Sequence, residues 1–174
     1  MVSLENRHAA WAREYEREAG RLSGALGTRV TALEHIGSTA VPGLVAKPVI
    51  DLAARAAEHV DVFGLTGLIA PLGYELHRSG PKNHGVYVRA DQGTRTHILH
   101  VFAHESWDAC NQRLFRDKLL HDPGARGRYG AAKVRLAAEA DGARYTEAKS
   151  AIVQELLDEE RAARGLPSVR AWDK

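Results

Sequence analysis

Trp11, Tyr15, Ala19, Leu22 and Leu26 recur at helical spacing between about Asn6 and Leu26, with Arg and Glu on the other face and Gly27 just beyond. The pattern predicts an amphipathic helix closed by that glycine, with the two aromatic rings in the core. A first strand follows from Val30 to Ile36, then a Gly-Ser loop, then a second strand from Pro48 to Ala54. Val62, Leu65, Ile69 and Leu72 return to helical spacing and predict a helix from about Glu58 to Leu72, stopped by Gly73. Tyr74–Arg78, the GVYVRA run from Gly85 and Thr96–Phe102 read as neighbouring antiparallel strands. SGPKNHG forms a turn-rich loop between the first two, and Asp91-Gln92-Gly93 a hairpin turn before the third.

The last 70 residues turn helical. Trp107–Leu120 predicts one helix, stopped at His121-Asp122-Pro123. Asp122 before Pro123 caps a second helix running to about Ala140. A third, from about Thr146 to Arg164, carries Ile152, Val153, Leu156 and Leu157 and stops at Gly165 and Pro167. Strands first and helices later predict an α+β protein rather than a doubly wound parallel sheet. The chain reads as one domain: residues 1–104 a sheet core with the N-terminal helix, 105–165 the C-terminal helices, 166–174 an irregular tail.

Composition narrows the partners. With 24 basic against 22 acidic residues, the net charge of +2 offers no large field for nucleic acid or a membrane surface, so a small ligand is the expected partner. Cys110 is the one cysteine, which excludes an internal disulfide framework and suits a reducing, cytoplasmic setting. No window matches a membrane span, and Met1–Trp11 lacks the apolar run of a secretory signal.

Chemistry concentrates in EHIGSTAVPGLVAKPVIDL, from Glu34 to Leu52. Asp51 lies inside an apolar strand, where a carboxylate is costly to bury unless a metal, a cation or hydrogen-bond donors meet it. Gly37-Ser38-Thr39 offers backbone N–H groups and two hydroxyls, the equipment that holds phosphate oxygens, although such a turn is often only a turn. Twelve residues separate Ser38 from Asp51, enough for the chain to leave one strand and return alongside it, so that both face one ligand. Lys47 either neutralises phosphate or pairs with an exposed acid. Strand alternation puts Asp51 on a face with Val49 and Ala53, and His100 on a face with Ile98 and Phe102, with His97 pointing away. Only one of Glu34 and His35 can face the cleft, and the sequence leaves that open. His35, His97 and His100 together read as acid-base or ligand groups around one cleft, though each alone suits a core position equally well.

HIGSTAVPGLVAKPVIDL, THILHVF, LFRDKLL and YTEAKSAIVQELL closely resemble the GrpB family, a branch of the nucleotidyltransferase superfamily also seen fused behind dephospho-CoA kinase domains. The resemblance runs from Trp11 to about Leu157. It implies a mixed β-sheet flanked by helices, with C-terminal helices closing the cleft. It also implies that Gly37 and Ser38 hold a nucleoside triphosphate or other phosphorylated small molecule, and that Asp51 binds a divalent metal, Mg²⁺, Mn²⁺ or Zn²⁺. The second acid of the superfamily pattern falls at position 53, where this chain has Ala53. The third falls near Thr96–Phe102, where His97 and His100 stand instead. Asp51 and His100 are then the metal candidates, with Asp51, Lys47 and His100 as the catalytic set. Arg116, Lys133 and Lys149 match basic positions of the family and are candidates for an anion clamp. The missing acid favours a rival reading, a degenerate fold kept as a ligand-binding or regulatory module; a third keeps the cleft for different small-molecule chemistry.

Overall fold

The computed structural model of the chain describes residues 4–139 and 142–171. Helix α1 (His8–Leu26) leads into β1 (Val30–Ile36), β2 (Ile50–Ala56), a short α2 (Thr66–Ile69), β3 (Tyr74–Leu76), β4 (Gly85–Asp91) and β5 (Thr94–Phe102). Helices α3 (Asn111–His121), α4 (Pro123–Glu139) and α5 (Gly142–Ala163) follow. The five strands form one sheet in the order β1-β2-β5-β4-β3. β2 and β5 run parallel and every other neighbouring pair antiparallel, so the sheet is mixed and the fold is α+β, as the strand-then-helix order predicts.

Two layers cover the sheet. Leu22 and Leu26 of α1 pack with Leu52, Ala54, Leu99 and Val101 on one face. Ile36, Ala53 and Phe102 on the other face pack with Trp107 and Cys110, which lie just before α3. A second core joins the three C-terminal helices through Leu114, Leu119, Tyr129, Val153, Leu156 and Leu157, and Val41 and Leu44 from the loop after β1 plug into it. Each leucine buried there contributes roughly 1.5–3 kcal/mol. Burying Val41 and Leu44 also anchors the preceding Ser38 turn beneath α4.

The helix predicted from Glu58 forms only at its end, as Thr66–Ile69 and a single 3-10 turn at Ala70–Leu72. Upstream, Asp61 Oδ1 accepts the Phe63 N–H at 2.9 Å, and His59 adopts φ 65°. A side chain that satisfies the backbone locally competes with helix, so the apolar spacing of Val62 and Leu65 serves a packed loop instead. The segment predicted as one helix from Trp107 is a 3-10 turn, His104–Ala109, and then α3, because Cys110 is extended at ψ 132°. The predicted cap is present: Asp122 Oδ1 accepts the Ala125 N–H at 2.9 Å. The end predicted for α4 at Ala140 lies outside the described residues, as do 172–174 of the tail. The rest of the tail is irregular but held, since Asn111 Nδ2 donates to the Arg170 and Ala171 carbonyls at 3.1 and 3.2 Å.

Candidate functional site

The antiparallel register sets Ile36 beside Asp51, so the turn that leaves β1 closes directly over that carboxylate. Gly37 makes the closure possible. It sits at φ 73°, in the region that favours glycine, and a Cβ added there would stand 2.6 Å from Asp51 Oδ2. Ser38–Ala40 then form a 3-10 turn. The Asp51 side chain keeps 26% of its surface open to solvent.

Ser38, Lys47, Asp51, Arg95, Lys133 and Lys149 line one cavity of about 400 Å³, with Thr39 at its wall. α4 supplies Lys133 and α5 supplies Lys149, so the C-terminal helices do close over the turn. Lys133 is buried; its Nζ donates to Ser38 Oγ at 2.9 Å and to the Val45 carbonyl at 2.7 Å. Burial, reinforced by the charges of Lys149 and Lys47, pushes its pKa down to about 7 against the opposing pull of Asp51. The same nitrogen lies 5.3 Å from the Tyr129 ring centroid. Tyr129 shares a hydrogen bond with Ser38, and burial raises its hydroxyl to about 12, so it stays neutral. Four basic side chains around one carboxylate and two hydroxyls make a site for a multiply charged anion.

Arg95 was not singled out by the sequence. β5 carries a bulge at Thr96 opposite Arg89 and Ala90, which shifts the strand's alternation and brings Arg95 to the side of Ile98. Tyr129 was likewise missed, because its helical spacing marks only a core position.

His100 shares the Asp51 face through the parallel register Asp51↔Ile98 and Ala53↔His100. Its Nε2 lies 3.9 Å from Asp51 Oδ1, yet its ring opens onto a neighbouring cavity of about 590 Å³, lined also by His84 and Phe102. It therefore stands at the edge of the lysine-lined hollow rather than inside it. The other two histidines do not join it. His35 stacks on Tyr15 with ring centroids 4.8 Å apart and meets Thr39 Oγ1 at 2.9 Å, and burial lowers its pKa to about 4. His97 points to α1, with Nε2 3.1 Å from Glu14 Oε1. The expectation of three histidines around one cleft is corrected to one, because α1 occupies the face that His35 and His97 share.

Between Glu34 and His35, the register puts Glu34 on the Asp51 face, opposite Ala53. Its carboxylate is already taken. Arg113 donates to both its oxygens at 3.1 Å, and Arg116 Nη1 to Oε2 at 2.6 Å. Arg116 also holds the His35 carbonyl and Asp117, so it fastens α3 to β1 and does not line the cavity that holds Lys133 and Lys149. Ala53 is fully buried among Ile36, Phe102 and Trp107.

The donor set bears on the expected metal. Among the described residues, the one group of three His, Cys or acidic side chains within 4.8 Å is Glu14, Glu18 and His97, on the opposite face. There Glu18 is already neutralised by Arg21 and Arg89. At Asp51 a single carboxylate faces the cavity, and the 3.9 Å to His100 Nε2 exceeds the roughly 3 Å between adjacent ligands of an ion bound at about 2.1 Å. This set fits Mg²⁺ or Mn²⁺ only where the ligand's own phosphate oxygens complete the shell, which is how Mg²⁺ commonly binds.

Among the described residues no helix is long and apolar enough to cross a membrane. A UPF0157 protein of Halalkalibacterium halodurans is 34% identical over 161 residues, covering 90% of this chain and 80% of its own length. The glutamate-rich protein GrpB of Alkalihalophilus pseudofirmus is 31% identical over 166 residues, 91% of this chain and 95% of that protein. The crystal structure of the conserved protein GrpB from Enterococcus faecalis superposes with a TM-score of 0.80 at 27% identity, over 95% of this chain and 99% of that one. The family model described as GrpB protein matches residues 1–159, a span that takes in the Ser38 turn, Asp51 and all four basic residues of the cavity, and the chain belongs to the GrpB family.

Proposed function

We propose that the cavity between the Ser38 turn and α4 binds the phosphates of a nucleoside triphosphate, or of another phosphorylated small molecule, together with a divalent cation at Asp51. The observation that carries this reading is the convergence of Lys47, Arg95, Lys133 and Lys149 on Ser38 and Asp51 in one hollow. In water, separate surface charges hold phosphate weakly; several fixed donors in a part-buried hollow hold it far better. Lys133 Nζ, already directed at Ser38 Oγ, meets the oxygens that settle against the turn. Asp51 would hold the cation, which when bound supplies neutralisation of phosphate charge. Nucleotidyl transfer is the reaction this arrangement serves, since phosphoryl chemistry relies mainly on positioning and charge stabilisation.

Ala53 supports a second reading, a ligand-binding or regulatory module without transfer. The place of a second acid is sealed under Trp107, so a two-carboxylate metal site cannot assemble there.

Calorimetry with ATP, GTP, CTP and UTP, each with Mg²⁺ or Mn²⁺, tests the phosphate site. Binding that weakens at least tenfold in Lys149→Ala, and loses its metal dependence in Asp51→Asn with the fold intact, is the expected result. No binding of any of the four at millimolar concentration overturns it. Binding without release of pyrophosphate in the presence of candidate acceptors selects the module.

A further inference from the structure

Among the described residues three cations are buried: Lys118, Lys133 and Arg161. A buried charge is costly unless an opposite charge meets it. Lys118 has two carboxylates, Asp122 and Glu159, both at 2.9 Å. Lys133 donates to a hydroxyl and a carbonyl and lines the hollow at Ser38. Arg161, 6% exposed near the end of α5, is the third. Its Nε donates to the Pro167 carbonyl at 2.6 Å, and its Nη1 to the Ala109 carbonyl at 3.1 Å and to Asn111 Oδ1 at 2.9 Å. All three acceptors are neutral, and among the described residues no carboxylate pairs with this guanidinium. The adjacent Glu160 is held by Arg164 and His121 instead. The two N–H groups of Arg161 Nη2 have no acceptor among the described residues, and the side chain lines the cavity of about 590 Å³.

That cavity is cationic. Arg170 joins Arg161 in its wall, and among the described residues no Asp or Glu lines it. The tail that carries Arg170 is fastened in place: Asn111, which accepts from Arg161, donates to the Arg170 and Ala171 carbonyls, and Gln154 Oε1 accepts the Ala171 N–H at 2.7 Å. Elsewhere the wall is flatter and less polar. His84 and Phe102 stack with centroids 4.5 Å and ring planes 22° apart, and Ser106 and Gln112 add neutral polar groups. A small-molecule site combines such an apolar wall with a few polar anchors. One guanidinium nitrogen backed by a second arginine matches a single carboxylate, whereas a phosphate finds four basic side chains around Ser38.

We propose that the second cavity binds a small organic acid, with its carboxylate on Arg161 Nη2 and Arg170 and its flat apolar body against His84 and Phe102. Both arginines lie beyond the residues 1–159 that the family model matches. The inference does not depend on the phosphate reading. His100 lines this cavity and borders Asp51, so the acid lies beside whatever the hollow at Ser38 holds.

NMR of the labelled full chain tests it, with benzoate as the probe and benzamide, which keeps the shape and loses the charge, as the control. Benzoate is expected to bind at millimolar concentration, about tenfold tighter than benzamide, and to shift the signals of Phe102, Cys110 and Ala171 while those of Ser38 and Lys133 stay in place. Inorganic phosphate is expected not to displace it. In Arg161→Gln the preference for benzoate is expected to fall to about twofold or less; a purely structural role would weaken both probes alike. Should that variant not fold, Gln112→Glu adds a negative charge to the cavity wall and is expected to weaken benzoate about tenfold with little effect on benzamide. Equal binding of the two probes, no binding of benzoate, displacement by phosphate, shifts centred on Lys133, or an unchanged preference in a folded variant overturns the proposal. Titration of the same sample with ATP and Mg²⁺ reads the hollow at Ser38 separately, so failure of the phosphate reading shows there and leaves the benzoate result standing.

Discussion

Gly37 lies so close over Asp51 that the carboxylate fills the space a side chain at position 37 would need, with 2.6 Å between an added Cβ and Oδ2. The positive φ of 73° adds strain for any other residue. Gly37→Ala must move either the turn or the acid. It is expected to cost about 1–3 kcal/mol of stability and to lower nucleotide affinity by roughly tenfold or more, a 1.4 kcal/mol step. Thermal unfolding and an ATP titration check the two effects separately. Unaltered binding in Gly37→Ala would mean that the turn and Asp51 do not act on one ligand.

Arg116 is expected to matter for stability and not for anion binding. It joins α3 to β1 through Glu34 and the His35 carbonyl, and both side chains are largely buried, at 13% and 28% exposure. Arg116→Met removes charge-assisted bonds worth about 1.5–3 kcal/mol. Urea unfolding should show that loss, while ATP affinity stays within about threefold of the unaltered protein. A large loss of affinity with little loss of stability would return Arg116 to the anion clamp.

Burial alone would raise the Glu34 carboxyl, but its bonds to Arg113 and Arg116 bring it below its usual 4.5. A carboxylate with a depressed folded pKa stabilises the protein above its unfolded value, and that stabilisation is lost as pH falls through the folded one. The unaltered chain should therefore lose more stability below pH 4.5 than Glu34→Gln does, as acid titration of the unfolding midpoint can show. Equal acid sensitivity would mean the clamp carries no net charge effect.

On the proposed reading, Lys133 would make phosphate binding a protonation event. Its pKa is held at about 7 against an ordinary 10.5, so at pH 8 most of the protein has it neutral. A phosphate arriving beside it favours the ammonium, and binding should take up as much as one proton between those two values. Calorimetry at pH 8 in buffers of different ionisation enthalpy reads this directly. The apparent enthalpy should vary with the buffer in the unaltered protein and much less in Lys133→Met. The same shift fixes a sign for stability: the unfolded chain binds more protons across that window, so the Lys133 contribution improves as pH rises from 7 to 10.5. Buffer-independent enthalpy would remove Lys133 from the phosphate site.

The meeting of the Ser38 turn with Asp51 was legible because it is local. Gly37, Ser38 and Asp51 lie within one loop and two adjacent strands, and sequence spacing alone brings them together. Lys133 and Lys149 came only through the resemblance to a family, since nothing in helical spacing aims a lysine across to a turn 95 positions earlier. Glu34 and His35 were indistinguishable for a physical reason: α1 covers one face of β1 and α3 the other, so the strand shows no clean alternation of burial. His84 was hidden in a segment of turn-forming residues. Its meeting with His100 exists only in the β4–β5 register, which pairs Val86 with His100.

The register also decides what a carboxylate at position 53 would do. In the superfamily pattern a second acid stands there, and from the sequence Ala53→Asp looks like a way to restore a magnesium site. The structure argues the opposite. Ala53 has no exposed surface and is packed among Ile36, Phe102, Trp107 and Cys110, while Asp51 opens to the cavity on the far side of the Gly37 turn. An aspartate at 53 would face apolar rings, next to a Glu34 whose arginines are already engaged. Burying an unpaired carboxylate costs several kcal/mol, or keeps the group protonated. Ala53→Asp is therefore expected to lower unfolding free energy by about 3 kcal/mol or more, most steeply above neutral pH where ionisation is enforced, with no gain in Mg²⁺-dependent ATP affinity. Urea unfolding at pH 5 and pH 8, with an ATP and Mg²⁺ titration at each, measures both. A stable variant that gains Mg²⁺ affinity would mean that residues 51 and 53 reach the same solvent after all, and that the layer formed by Trp107 and α3 moves aside when ligand binds.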